Sequence, residues 1–181
     1  GGESKRGYGT VLLSCPEPQV RALLPAHGTD RPTAAVPGYA PCWAVMVEFP
    51  EPVSCLYDGI RFSDHALGWA ARDSSKPGRA EGERWVLHGS PEWSATHLER
   101  DNRWAESALL DAFSEFGCPA PLRAMSHRWR YALARVPEPA GVTWSPSTGV
   151  GVFGDGWVAP KVEGAWASGV AMAQAVLESL S

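Results

Sequence analysis

The sequence predicts a mixed α/β (α+β) fold, with an αβ piece at each end and, between them, a β-rich region whose sheet is mostly antiparallel and flanked by helices. Three observations predict it. A short continuous apolar run, Val11-Leu12-Leu13, gives way to apolar residues at helical spacing. The middle of the chain holds several strand-length segments, and the clearest alternates from Leu122 to Arg135. Near the end, Val150 to Phe153 enters a glycine turn and then a long helical pattern. This order is the pattern of one domain inserted into another, with divisions expected at 1–40, 41–140 and 141–181.

Gly9 to Cys15 reads as a strand buried on both faces, because its apolar run is continuous. Pro16 and Pro18 precede Val20, Leu23 and Leu24, and proline is tolerated in a first helical turn, so a strand-turn-helix unit follows. Residues 26–41, rich in Pro, Gly, Thr and Ala, read as a connector. Cys42 to Phe49 is a strand. Val53 to Tyr57 and Gly59 to Phe62 flank Asp58-Gly59, a pair that predicts a hairpin turn. Leu67 to Arg72 and Arg84 to Gly89 are two more strands, with Asp73 to Arg79 in the loop between them. Ser90 caps a helix with Pro91 at its first position. A second helix covers about 102–116 and stops at Gly117; its expected apolar face is Trp104, Ala108, Ala112, Phe113 and Phe116. Along Leu122 to Arg135, one face carries Met125, His127, Trp129, Tyr131 and Leu133, the other Ser126, Arg128 and Arg130. The last helix, from about Glu163 to Leu180, places Trp166, Val170, Ala173, Val176, Leu177 and Leu180 on one stripe.

Composition narrows the function classes. A chain of 181 residues is long enough for one domain with a core, or for parts of two. Gly 19 and Pro 16 imply many turns yet stay below the roughly 25–30% that signals disorder. The net charge of −4 argues against a nucleic-acid footprint. No apolar run is long enough for a bilayer and no signal peptide opens the chain, so a cytoplasmic protein without a membrane partner is expected. The cysteines, Cys15, Cys42, Cys55 and Cys118, form no CxxC pair; they read as buried free thiols, with no metal site. The chain opens Gly1-Gly2-Glu3-Ser4 without methionine and enters a strand at once, as a fragment or processed product does.

The tail is the most informative stretch. Val150 to Phe153 ends in Gly154-Asp155-Gly156, and Lys161 to Gly169 opens a helix rich in small residues. Unpaired N–H groups at a helix start carry positive partial charge and favour an anionic ligand. Asp155 is suited to accept hydrogen bonds from hydroxyls. A strand, a tight turn and a packed helix with no ligand has the same local signature.

Five stretches together resemble renalase and its bacterial relatives, in the flavin amine-oxidase superfamily. They are Val11-Leu-Leu-Ser-Cys-Pro-Glu-Pro-Gln19, Trp69-Ala-Ala-Arg-Asp-Ser-Ser-Lys-Pro-Gly-Arg79, Trp85-Val-Leu-His-Gly-Ser-Pro-Glu-Trp-Ser94, His127-Arg-Trp-Arg-Tyr-Ala132, and Gly154-Asp155-Gly156 with Val162-Glu-Gly-Ala-Trp-Ala-Ser-Gly169. They fall in family order over about residues 10–180. The resemblance implies a Rossmann-like FAD domain split by a substrate domain, with 1–40 and 141–181 in the former and 41–140 in the latter. It implies non-covalent FAD and the oxidation of isomeric dihydronicotinamide dinucleotides to NAD(P)+, with O2 reduced to H2O2. The family's opening Gly-x-Gly-x-x-Gly turn is not here; Gly149, Gly151 and Gly154 lie in and after a late strand, so an N-terminal FAD-domain segment is an expected partner.

By this resemblance Gly154, Asp155, Gly156, Val162, Glu163, Gly164 and Ala165 are expected at the cofactor. His127, Trp129, Tyr131 and Trp166 are expected at the substrate pocket, although each also reads as ordinary core. Lys76 and Arg79 are candidates for substrate phosphates or members of a solvated loop. No catalytic base or nucleophile stands out, and hydride transfer from a dihydronicotinamide needs none. The alternatives are a flavin amine oxidase acting on a true amine, and a non-catalytic Trp-rich binding module. The flavin reading requires that the leading end of the last helix not be plugged by protein atoms.

Overall fold

A computed structural model describes residues 7–24, 38–135 and 141–180. In chain order these form β1 (Val11–Leu13), α1 (Glu17–Leu23), β2 (Tyr39–Phe49), β3 (Gly59–Arg61), β4 (Leu67–Arg72), β5 (Glu83–Gly89), α2 (Pro91–Thr96), α3 (Asn102–Phe113), β6 (Arg123–Ala134), β7 (Thr143–Ser145), β8 (Val150–Val152) and α4 (Val162–Ser179). Single 3-10 turns sit at Asp73–Ser75, Ser114–Phe116 and Asp155–Trp157. The chain divides into two units, Ala40–Ala132, and Gly1–Tyr39 with Leu133–Ser181. The mixed α+β class is as expected. The opening Gly1–Ser4 and most of the expected connector lie outside the described residues, and the connector's last positions already belong to β2.

The unit Ala40–Ala132 is built on a five-stranded antiparallel sheet of order β3-β4-β5-β2-β6. Alternation along β2 and β5 sends Trp43, Val45, Val47, Phe49, Trp85 and Leu87 to one face. There they pack with Ala105, Leu109 and Phe113 of α3. The buried line of α3 therefore sits one position from the expected face: Trp104, Ala112 and Phe116 only flank the core, half-buried. Asp101 caps α3 by accepting from Trp104 N at 2.9 Å, and Gly117 ends it with φ 67°. Ser90 caps α2 by accepting from Trp93 N, with Pro91 next, as expected.

The hairpin expected around Asp58-Gly59 does not form. β3 pairs with β4, and residues 53–57 carry no strand. Side chains hold that segment in place of a ladder. Arg72 donates to Asp58 Oδ1 (2.8 Å) and Cys55 O (3.0 Å). Glu83 Oε1 accepts from Val53 N, Arg72 Nε and Trp85 Nε1.

The second unit has a three-stranded sheet, β1-β8-β7. β1 and β8 pair in parallel, Val11 opposite Val150, and β7, not expected from the sequence, pairs antiparallel to β8. β1 is an edge strand; Val11 and Leu12 are exposed, against the expectation of burial on both faces. At Gly149, φ is 65° and an added Cβ would lie 2.3 Å from Gly9 O, so only glycine fits there. Val20, Val152 and Trp157 form the core, with Leu13, Cys15 and Leu24 beside them. The long helix α4 buries Gly164, Ser168 and Met172. Its larger apolar stripe, Val162, Trp166, Val170, Leu177 and Leu180, is exposed. No described helix is long and apolar enough to cross a membrane.

Candidate functional site

The turn between β8 and α4 is built by one glycine and one hydroxyl. Gly154 has φ 144°, a conformation that side chains oppose. Its N–H donates to the buried Ser168 Oγ at 3.0 Å, and that hydroxyl donates to Ala165 O at 2.7 Å. The turn is thereby tied to the first turns of α4. Asp155 follows, half-buried, and then the buried Gly156 and Trp157. Burial pushes the Tyr39 phenol up; a backbone hydrogen bond from Glu17 opposes this, and Asp155, Glu17 and Cys15 add to it through their charge. Asp155 thus lies within electrostatic reach of Tyr39, whose oxygen accepts from Glu17 N at 3.3 Å.

The leading end of α4 is open on one side and closed on the other. Lys161 is the N-cap residue of α4 and, among the described residues, no side-chain cap is made there; Val162 and Glu163 are exposed, with Glu163 placed to favour the helix dipole. On the other side Gly164 is buried, and an added Cβ would meet Ala159 O at 2.0 Å. Of the small residues in this stretch, Gly164 and Ser168 serve the protein's own packing, while Ala165 is exposed. Trp166, expected at a pocket, stands 72% exposed on the outer stripe of α4. Trp157 Nε1 is buried and, among the described residues, has no hydrogen-bond acceptor. Leaving such a donor unsatisfied costs about 1–3 kcal/mol. The uncapped helix start offers N–H donors that suit an acceptor-rich anionic group.

In the other unit, the sheet face turned away from α3 collects a second set of residues. Cross-strand registers place Ala44 opposite His88, His88 opposite Trp69, and Met46 opposite Val86. β6 adds Met125, His127, Trp129 and Tyr131 to this face. Its other face carries Ser126, which donates to Asn102 O of α3, and Arg128, which donates to Leu98 O. The aromatic side of β6 is therefore the open one: Trp129 is 54% exposed, with His127 against it at 4.4 Å between ring centroids. Burial holds His88 below the ordinary histidine value, with the Lys76 charge adding to the effect, so its neutral form is favoured. His88, Trp69 and Met46 were not singled out by sequence. His88 lies within a family-like stretch, and the alternation of β5 was the available signal.

Lys76 and Arg79 bind their own loop: Lys76 Nζ is 2.9 Å from Asp73 Oδ1 and Arg79 Nε is 3.5 Å from Asp73 Oδ2. The four cysteines are free and half-buried, and burial pushes the thiols of Cys42 and Cys118 up to about 11. Among the described residues no group of three or more His, Cys, Asp and Glu is placed to hold a metal.

No family model matches the chain. Among solved structures, one from Exiguobacterium sp. 255-15, named a putative protoporphyrinogen oxidase, is similar with a TM-score of 0.60 and 16% identity. The match covers 94% of this chain and 41% of that one, so this chain spans well under half the length of its structural neighbour. At that identity the likeness is one of fold, and the fold is that of a protein named as an oxidase.

Proposed function

We propose that this chain is part of an FAD-dependent oxidase of renalase type, acting on isomeric dihydronicotinamide dinucleotides. The observation that carries the reading is the β8–α4 turn. It joins a glycine at φ 144°, a half-buried carboxylate, an uncapped 18-residue helix and a buried indole donor without an acceptor. The fold likeness to a protein named as an oxidase supports it.

The residues suit distinct tasks. The N–H groups of Val162 and Glu163, at the head of α4, favour negative charge on a bound cofactor. Asp155 accepts from ribityl hydroxyls, and Gly154 and Gly156 keep the approach free of side chains. The chemistry supplied by bound FAD is two-electron oxidation of a reduced ring, with O2 as final acceptor and H2O2 as product. In the sheet unit, the exposed aromatic rings of Trp69 and Trp129 suit the stacking of a planar ring. In this reading further polypeptide of the flavin domain covers the exposed stripe of α4 and the open edge of β1.

The test uses the full gene product that carries this chain. A flavin visible spectrum is expected, and Asp155→Ala is expected to lower flavin affinity at least tenfold. Trp157→Phe separates two roles of the indole. If Nε1 serves the cofactor, flavin affinity falls; if it is merely an unsatisfied donor, stability rises and flavin binding is unchanged. Aged NADH, which contains hydride isomers, is expected to bleach the flavin rapidly where amines do not. A colourless full-length protein would overturn the reading.

A further inference from the structure

A cleft of ≈ 560 Å³ lies on the open face of the five-stranded sheet, wholly within Ala40–Ala132. Its floor is apolar: Met46 of β2, Val86 of β5 and Met125 of β6. Its rim is ionic. Glu48 is 3.1 Å from Arg84 and 2.6 Å from Arg123, and Asp73 is paired with Lys76 and Arg79. Arg79, Arg84 and Arg123 line the cleft against Glu48 and Asp73, a surplus of one positive charge, to which Lys76, paired with Asp73 outside the lining, adds a second. Both carboxylates are held below their ordinary range by hydrogen bonds, from Arg123 to Glu48 and from Lys76 to Asp73, so the surplus is well defined at neutral pH.

Geometry adds direction to the charge. Arg123 and Arg79 each reach their carboxylate through Nε, at 2.6 Å and 3.5 Å. Among the described residues their terminal NH1 and NH2 groups have no acceptor, while Arg84 spends its own on Ala80 O and Glu48. A guanidinium held by Nε with its terminal N–H groups free is prepared to take a phosphate or carboxylate.

We infer that this cleft binds an amphiphilic dianion, whose flat apolar body rests on Met46, Val86 and Met125 and whose doubly charged head meets Arg79 and Arg123. The head is a phosphate monoester or a pair of adjacent carboxylates, which share this chemistry. The inference stands whether or not the chain holds a flavin, because no residue of the β8–α4 turn takes part.

Isothermal titration calorimetry on the intact chain tests it with four probes: 2-naphthyl phosphate, naphthalene-2,3-dicarboxylate, 2-naphthol and inorganic phosphate. At least one of the two dianionic naphthalenes is expected to bind tenfold or more tightly than both 2-naphthol and inorganic phosphate, and which one wins identifies the head. Arg79→Gln with Arg123→Gln is expected to lose at least tenfold in that affinity and leave 2-naphthol unchanged. Arg61→Gln, a cation on β3 outside the cleft, is the control and is expected to change nothing. Glu48→Gln with Asp73→Asn enlarges the surplus and is expected to tighten dianion binding about threefold or more, an outcome that misfolding does not mimic. Equal binding of 2-naphthol and the dianions, unchanged binding in the double arginine variant, or weaker binding in the Glu48/Asp73 variant would each overturn the inference.

Discussion

The unit Ala40–Ala132 and the unit around α4 use amphipathic elements in opposite ways. In the first, five strands turn their large residues, Trp43, Trp85 and Leu87 among them, onto a helix whose buried line is Ala105, Leu109 and Phe113. The helix is small at one end of that line and aromatic at the other, and the sheet fills the space. In the second, α4 spends its small residues, Gly164 and Ser168, on the neighbouring turn and leaves Trp166, Val170, Leu177 and Leu180 facing out. The three strands of its sheet are only three residues each, and the exposed edge is the apolar β1. A unit that buries its large side chains is stable by its own packing. The second unit buries Trp157, Val152 and Met172 but leaves the larger part of the apolar stripe of α4 exposed.

This contrast sets the scale of expected effects. Trp85→Ala removes a side chain that is 1% exposed at the centre of the sheet unit, and is expected to cost about 3–5 kcal/mol in urea unfolding. A loss below about 1 kcal/mol would break the contrast, because the first core would then be no tighter than the second. Ser168→Ala leaves the Gly154 N–H without its acceptor and is expected to cost about 1–3 kcal/mol, with faster amide exchange at Gly154. Asp101→Ala removes the α3 cap and is expected to cost about 1 kcal/mol, read as earlier exchange at Trp104.

A pH series sharpens the comparison further. His88 is held below the ordinary value of 6.5 chiefly by burial, so the folded sheet unit binds fewer protons there than the unfolded chain. Its contribution is complete above that value and is lost as pH falls from 6.5 toward the folded-state value. Thermal unfolding is expected to show this slope in the parent and to lose it in His88→Gln. The smallest effect belongs to α4. Trp166→Gln changes a residue that is 72% exposed, so stability is expected to move by less than about 0.5 kcal/mol while binding of an apolar dye falls.

Local chemistry made a large part of the fold legible. Ser90 before Pro91, and Gly117 after an aromatic helix end, marked the boundaries of α2 and α3, because caps depend on residues a few positions apart. The strand at Leu67 to Arg72 and the alternation along Leu122 to Arg135 were readable for the same reason. The Asp58-Gly59 hairpin was misread because Arg72 and Glu83, 14 and 25 positions on, outbid the local turn signal. The strand β7 was missed because three residues carry no measurable alternation. At the candidate sites, Gly154 and Asp155 could be found as a local pattern, whereas His88, Trp69 and Met46 come together only through the ladders of β2, β4 and β5.

What the sequence determined by itself is which side chains share a face, since the two-residue period of a strand and the 3.6-residue period of a helix follow from backbone geometry alone. It separated Met125, His127, Trp129 and Tyr131 from Ser126, Arg128 and Arg130, and it grouped Trp166, Val170 and Leu177. Which of the two faces is covered was decided only by the tertiary structure. α3 packs against the Ser126 side of β6, and α4 turns its small side to the Gly154 turn, because burial depends on the shape and hydrogen bonds of an element far away in the chain.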